Sequence, residues 1–205
     1  MVERQLRRRG IHDERVLEVM AKVPRHEFVS RQSWSEAYAD HPLAIAEQQT
    51  TSQPYIIASM IQSAQIRQED RILEIGAGSG YQTAILAELA RRVFAVERYA
   101  SLADTARDNL ARLGYANVKV ITGDGTLGFA EAAPFDVIIV SAAAPRIPPA
   151  LTEQLARGGR MVIPVGDAQE QVLQLQCRDE HNNLTVNTLE GCRFVPLIGR
   201  QGFAT

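Results

Sequence analysis

Residues 73–81 read Leu73-Glu74-Ile75-Gly76-Ala77-Gly78-Ser79-Gly80-Tyr81, with three glycines where an apolar strand turns into a helix. Glycines at such a turn let the backbone approach a ligand closely, because no Cβ stands in the way. A dinucleotide loop has the spacing G-x-G-x-x-G, which requires glycine at position 81. This chain has Tyr81 there. The loop therefore disfavours a nicotinamide-dependent oxidoreductase.

On both sides of this loop the hydrophobic pattern alternates between helix and strand. Alternating elements predict an α/β fold with a doubly wound, mostly parallel sheet. Residues 171–177 and 184–197 are β-rich with no helix between them, so we expect an antiparallel C-terminal hairpin and seven strands in all. The predicted helices are 53–64, 81–90, 101–113 and 150–156, and the predicted parallel strands are 71–75, 93–96, 118–121, 135–140 and 160–163.

The first 53 residues lack this alternation. Two helical pieces are predicted before residue 30, with a break at Gly10, an N-cap at Asp13 and a stop at Pro24. Residues 38–54 show no periodicity and predict a long loop, which in a compact domain is often functional. We expect one domain over 1–205: N-terminal helices and acceptor loop (1–53), cofactor-binding core (54–166) and C-terminal hairpin (167–205).

Composition restricts the classes of function. The chain has 205 residues, 45% hydrophobic and 22% charged, with a formal net charge of -2, so no broad basic surface for nucleic acid is expected. Two cysteines are too few for a zinc site or a disulfide framework, and no metal is expected. No signal peptide and no apolar run of about 18 residues is visible. These features predict a cytoplasmic protein that does not bind membranes, and we expect a monomer.

One acidic residue follows or ends each of three successive predicted strands: Glu74, Glu97 and Asp124. The carboxyl ends of parallel strands meet at the edge where such sheets bind ligands. Glu74 would repel a pyrophosphate but attract a cationic sulfonium and amino group. Glu97 is placed to accept ribose hydroxyls, and Asp124 either accepts from an adenine amino group or is only a turn residue. Together the three acids favour a positively charged nucleoside ligand such as S-adenosylmethionine.

The loop after the fourth parallel strand bears on the methyl acceptor. It reads Ser141-Ala142-Ala143-Ala144-Pro145, with no aromatic to stack a base and no amide to grip one. Amino methylation of nucleic acid is therefore disfavoured. A carboxylate has an unperturbed pKa near ~4 and is ionised without a base, which fits the lack of an obvious catalytic His or Lys.

Over nearly its whole length the chain resembles the protein-L-isoaspartate O-methyltransferase family, a class I, Rossmann-like fold that uses S-adenosylmethionine. The segments peculiar to that family are Ser52-Gln53-Pro54 and Arg193-Phe194-Val195-Pro196-Leu197. The matching segments, with these two included, are 23–29, 37–43, 49–55, 73–81, 123–125, 133–136, 158–166 and 193–197.

The resemblance implies protein repair. The α-carboxylate of an isoaspartyl residue in a damaged protein is methylated, and the ester collapses without enzyme to a succinimide that hydrolyses partly to normal aspartate. Ser52 is then the catalytic hydroxyl, and Ser52, Gln53 and Val195 bind the substrate. The residues expected to hold the cofactor are Thr50, Glu74, Gly76, Gly78, Gly80, Glu97, Asp124 and Gly125.

One departure from the family lies just before these residues. The family pattern Pro-Ile-Gly-x-Gly-Gln-Thr reads Ala44-Ile45-Ala46-Glu47-Gln48-Gln49-Thr50 here, so Ala46 or Gln48 would be strained if its position needs a positive φ. Because the change falls in a loop expected to face the acceptor, two alternatives stay open. One is a related carboxyl methyltransferase with a specialised acceptor, and the other is a non-catalytic S-adenosylmethionine-binding module.

Overall fold

A computed structural model describes residues 1–204 of the chain. Seven strands form one sheet in the order β5-β4-β3-β6-β7-β8-β9, and two short strands, β1 and β2, form a separate hairpin. β3 to β7 are parallel to their neighbours, and β8 and β9 are antiparallel. The predicted α/β sheet with a C-terminal antiparallel hairpin is confirmed. The strands are β1 Leu43–Ala44, β2 Thr50–Thr51, β3 Arg71–Ile75, β4 Arg92–Glu97, β5 Val118–Thr122, β6 Phe135–Val140, β7 Leu155–Gly166, β8 Gln171–Arg178 and β9 Leu184–Cys192.

Helices cover both faces of the sheet, which is why the central strands are largely apolar. Four helices bury their apolar residues in a core on one face, where Ile72 of β3 points. The fifth helix and two 3₁₀ turns cover the other face, to which Leu73 and Ile75 point. The helices are α1 Glu14–Lys22, α2 Pro54–Ala64, α3 Tyr81–Leu89, α4 Ala100–Arg112 and α5 Pro149–Glu153.

The N-terminal predictions are confirmed in detail. A π-helical turn, Val2–Leu6, and a 3₁₀ turn, Arg7–Arg9, end at Gly10, whose φ of 96° is left-handed. The side chain of Asp13 then accepts from the backbone N–H groups of Arg15 and Val16 and begins α1.

Three boundaries differ from the sequence prediction. The predicted helix 150–156 ends at Glu153, because residues from Leu155 already pair with β6 and begin a twelve-residue strand. The predicted strand 184–197 ends at Cys192. Residues after it leave the sheet edge, since Val195 and Leu197 bond instead to the backbone of Ala143 in the loop after β6. The predicted loop 38–54 contains the β1–β2 hairpin.

Two kinds of feature are absent from residues 1–204. None of the helices in that range combines the length and apolar character needed to cross a bilayer. No group of three or more His, Cys, Asp and Glu side chains in it is arranged to hold a metal ion.

Candidate active site

A cavity lies at the carboxyl ends of β3, β4 and β6. We call it the strand-end cavity. Its position is where open α/β sheets bind their ligands. Six of the predicted site residues line it: Thr50, Gly76, Gly78, Glu97, Gly125 and Val195.

Of the three predicted acids, Glu97 is the one that lines the strand-end cavity. It ends β4 and is 6% exposed. One carboxylate oxygen accepts from the backbone N–H of Gly78 (2.9 Å) and the other from the backbone N–H of Tyr99 (3.0 Å). These two bonds fix the carboxylate at the mouth of the glycine loop. Its remaining lone pairs face the cavity, where they can accept from two neighbouring hydroxyls.

The glycines of the loop do two different things. Gly78 has a φ of 55° and lies under Ile45, whose Cδ1 is 3.3 Å from the position a Cβ would take. Gly80 has a φ of 94° and begins α3, and a Cβ there would be 3.4 Å from Ala106 of α4. Gly80 does not line the cavity. The contacts of Gly80 in the structure serve the close packing of two helices, and its predicted contact with the cofactor stays a prediction.

Glu74 does not line the strand-end cavity. It shares a face of β3 with Ile72, under α3, and is fully buried. Gln82 Nε2 donates to one of its oxygens (3.0 Å) and Thr83 Oγ1 to the other (2.5 Å). Burial raises the pKa of Glu74 to about 8, although these two hydrogen bonds oppose the shift and Glu97 adds a smaller increase. The predicted contact of Glu74 with the methyl donor stays a prediction.

Asp124 lies beside the strand-end cavity. Its carboxylate accepts from the N–H and hydroxyl of Thr126 and from the N–H of Arg200. These bonds, working against partial burial, hold its pKa below the usual range. Asp124 lines an adjoining cavity that shares Arg98 and Ile198 with the strand-end cavity. Its contact with adenine stays a prediction.

A second cavity, which we call the outer cavity, adjoins the first. It contains Ser52 and Gln53, and it shares Thr50, Ser141 and Val195 with the strand-end cavity. A smaller third space, the inner cavity, lies between Ser52, the glycine loop and Gln82. The predicted cofactor residues and the predicted substrate residues therefore line neighbouring spaces with a common wall.

Buried contacts fix the loop that carries Ser52. The guanidinium of Arg25 is fully buried over the ring of Tyr81, and its Nη2 donates to the carbonyl of Ser52 (2.8 Å). The amide of Gln53 donates to the carbonyl and the carboxylate of Asp40, both at 2.9 Å. The Ser52 backbone is thereby held while its hydroxyl stays at the cavity.

Sequence reasoning missed Arg25, Asp40 and Ser141 as site residues. Arg25 and Asp40 stand in segments that matched the family, but nothing in their local pattern shows that they reach residues 52 and 53. Ser141 belongs to the loop after β6, where the only signal used was the absence of an aromatic residue and an amide. Its position after β6 was a usable signal, because β6 is the immediate neighbour of β3.

The altered segment forms the turn of the β1–β2 hairpin. Glu47 and Gln48 have φ values of 57° and 56°, and the N–H of Gln49 bonds to the carbonyl of Ala46 (3.1 Å). Two consecutive left-handed residues are the pattern of a type I′ turn, which favours Asn-Gly. The expected strain falls on Gln48 and not on Ala46, which is outside the left-handed region.

This hairpin lies over the cofactor side of the site. The Glu47 carboxylate accepts from the hydroxyl of Ser101 near the start of α4 (2.5 Å), and Ile45 packs on Gly78. Residues 46–48 line neither the outer nor the inner cavity. They do not line the strand-end cavity either, so the effect of this departure from the family pattern on the acceptor stays a prediction.

Replacing Gln48 with glycine should raise the free energy of unfolding by about 1 kcal/mol, because glycine adopts the left-handed region without a Cβ clash. Ala46→Gly is the matched control. Its backbone has no positive φ, so the added chain entropy should lower stability by roughly 0.5–1 kcal/mol. Urea unfolding measures both. A loss of stability in both variants would contradict a strained turn.

Comparison with known proteins identifies the family. The model described as Protein-L-isoaspartate(D-aspartate) O-methyltransferase (PCMT) matches residues 1–202. A protein-L-isoaspartate O-methyltransferase from Koribacter versatilis (strain Ellin345) is 56% identical over 204 residues, covering 100% of this chain and 91% of that protein. One from Protochlamydia amoebophila (strain UWE25) is 52% identical over 206 residues, covering 100% of this chain and 98% of that protein.

Solved structures agree with the sequence comparison. A protein-L-isoaspartate O-methyltransferase superposes with a TM-score of 0.87 at 29% identity, over 98% of this chain and 67% of its own. A PCMT from Plasmodium falciparum, solved in complex with S-adenosyl-L-homocysteine, superposes with a TM-score of 0.83 at 27% identity, over 96% of each chain. The chain belongs to the protein-L-isoaspartate(D-aspartate) O-methyltransferase family.

Proposed function

We propose that the strand-end cavity holds the methyl donor and that the outer cavity holds the acceptor carboxylate, with Thr50, Ser141 and Val195 where they meet. The reaction is methyl transfer from S-adenosylmethionine to isoaspartyl residues of damaged proteins, as in the family. The observation that carries the assignment of sites is the shared wall of the two cavities.

The residues of the strand-end cavity fit S-adenosylmethionine. Gly76 and Gly78 line the cavity with backbone alone, and Glu97 offers a fixed carboxylate to the ribose hydroxyls. The donor supplies a methyl group on a sulfonium, a good leaving group. What the chain must add is alignment, and effective molarity from alignment alone can lower a barrier by several kcal/mol.

The acceptor side needs no general base. An isoaspartyl α-carboxylate is ionised at neutral pH, and we assign Ser52 the role of donating a hydrogen bond that orients it. Thr50 and Gln53 form part of the wall of the outer cavity. The amide of Gln53 is held in place by its hydrogen bonds to Asp40. Arg25 acts through the Ser52 carbonyl by fixing the loop.

The three segments expected from the sequence become roles in this proposal. Residues 1–53 supply the acceptor loop, residues 54–166 the donor site, and residues from 167 the hairpin that returns Val195 to the site. Thr205, the last residue of the third segment, lies outside the described residues. We propose one domain, and mild proteolysis followed by unfolding as a single transition would test it.

We also propose a monomer in the cytoplasm that binds neither nucleic acid nor membranes. A net charge of -2 supports the absence of a nucleic-acid partner. Light scattering gives the mass in solution, and cell fractionation of the tagged chain gives its location. A dimer mass, or recovery of the chain with membranes, would contradict these proposals.

The decisive experiment offers the enzyme two peptides that differ only at one residue. Labelled methyl should pass from the donor to the isoaspartyl peptide and not to its aspartyl twin. Transfer to neither peptide, with S-adenosylhomocysteine still bound, would favour a specialised acceptor or a non-catalytic module.

Ser52→Ala should lower kcat/KM for the isoaspartyl peptide at least about tenfold, because a hydrogen bond to a charged group is lost. Its affinity for S-adenosylhomocysteine should stay close to that of the wild type. The matched control is Ser63→Ala, a serine of α2 that lines none of the three cavities. Equal activity of the two variants would remove Ser52 from the acceptor site.

A further inference from the structure

Ser141 occupies the junction of the site. It follows β6 directly, and its N–H donates to the carbonyl of Ile75 at the end of β3 (2.8 Å). Thr50 and Ser141 are the two residues that line the strand-end, outer and inner cavities alike. Ser141 therefore lies where an acceptor in the outer cavity and a donor in the strand-end cavity would meet.

The hydroxyl of Ser141 is oriented by Gln82. Gln82 Nε2 donates to Ser141 Oγ at 2.8 Å, so the oxygen is an acceptor in that bond. Among residues 1–204 no protein atom is recorded as accepting from the hydroxyl in return. The O–H of Ser141 is thus free to donate to a ligand at the junction.

Glu74 fixes the amide of Gln82. The second hydrogen of Nε2 goes to a Glu74 oxygen at 3.0 Å, and Thr83 holds the other oxygen of Glu74. In this arrangement the same Gln82 nitrogen donates to Glu74 and to Ser141, so the buried acid is one of the two partners that hold the amide beside Ser141.

We infer that Ser141 donates a second hydrogen bond to the acceptor carboxylate, beside Ser52, and that Gln82 and Glu74 are positioning residues for it. The inference rests on the proposed function. In the transfer, an acceptor oxygen forms the new O–CH₃ bond as the S–CH₃ bond breaks, giving a neutral ester and a neutral thioether. No proton moves, so Ser141 keeps its proton, and its role is to point the reacting oxygen at the methyl group.

The test is a set of steady-state measurements on the full chain with the isoaspartyl peptide. Ser141→Ala should lower kcat/KM about tenfold to a hundredfold. Ser141→Thr keeps the hydroxyl and should return it to within about threefold of wild type. The affinity for S-adenosylhomocysteine and the shape of the pH profile should match the wild type in both variants, because the inference assigns the Ser141 hydroxyl to the acceptor carboxylate and involves no proton exchange.

A double-mutant cycle tests the positioning role. Gln82→Met removes both donated hydrogen bonds in a side chain of similar length. If Gln82 acts through Ser141, the double variant with Ser141→Ala should be no slower than Ser141→Ala alone. Thermal unfolding checks that the variants fold, and if Gln82→Met does not, the alanine and threonine variants still decide the role of Ser141.

Several results would overturn the inference. These are an active wild type with Ser141→Ala equally active, losses that multiply in the double variant, or a fall in S-adenosylhomocysteine affinity parallel to the fall in activity. If the wild-type protein labels neither peptide, the proposed function and this inference are overturned together. That outcome can be told apart from the others because it is seen in the wild type, before any substitution is made.

Discussion

Glu97→Ala should weaken binding of S-adenosylhomocysteine by about a hundredfold, because a charged acceptor shared by two hydroxyls contributes roughly 3 kcal/mol. The carboxylate is nearly buried at the end of β4 and already ordered by the N–H groups of Gly78 and Tyr99. An acceptor held in place before binding loses little entropy when the ligand arrives. Calorimetric titration measures the change.

Two further variants separate the contributions. Glu97→Gln keeps one acceptor oxygen and a similar shape, so the affinity should fall roughly tenfold. Asp104→Ala removes a carboxylate of the same charge from the exposed surface of α4, where it pairs with Arg107, and should change little. If Asp104→Ala weakened binding as much as Glu97→Ala, the effect would come from net charge and not from the ribose contact.

Much of the fold could be predicted because each signal was local. Strands with continuous apolar residues, helices with capping residues and a glycine loop between them define the parallel sheet whatever the distant contacts. The donor side of the site followed from the same logic, since Glu97 and the loop glycines are placed by the ends of neighbouring strands. The resemblance to the family then predicted that Ser52, Gln53 and Val195 belong to one substrate site.

The placement of Glu74 and the end of β9 could not be predicted from local sequence patterns. Position at a strand end does not give the face of the sheet on which a side chain lies, because successive residues alternate. Glu74 lies on the same face of β3 as Ile72, where it contacts Gln82 and Thr83 of α3. These contacts cross the strand-to-helix turn, and no local sequence pattern predicts them. The early end of β9 depends likewise on bonds between Val195, Leu197 and the distant Ala143.

Glu74→Gln should make the protein more stable than the wild type at alkaline pH. Burial raises the folded-state pKa of Glu74 from 4.5 to about 8, against hydrogen bonds from Thr83 and Gln82 and with a smaller increase from Glu97. An acid whose pKa is raised by folding favours the folded state fully below its unfolded pKa. That stability is lost as pH rises through the folded pKa. The wild type should therefore lose a few kcal/mol between pH ~4.5 and ~8 that the neutral variant keeps.

The measurement is the difference between the unfolding free energies of the two proteins across this pH window, because titrating groups that do not interact with Glu74 contribute equally to both. Glutamine preserves the acceptor for Gln82 and can donate to the hydroxyl of Thr83, so the buried bonds have partners in the variant. Glu69→Gln, an exposed acid just before β3, should give a flat difference over the same range. A flat difference for Glu74→Gln as well would mean that Glu74 titrates near its ordinary pKa. The network behind Ser141 would then contain a buried anion held by Gln82 and Thr83.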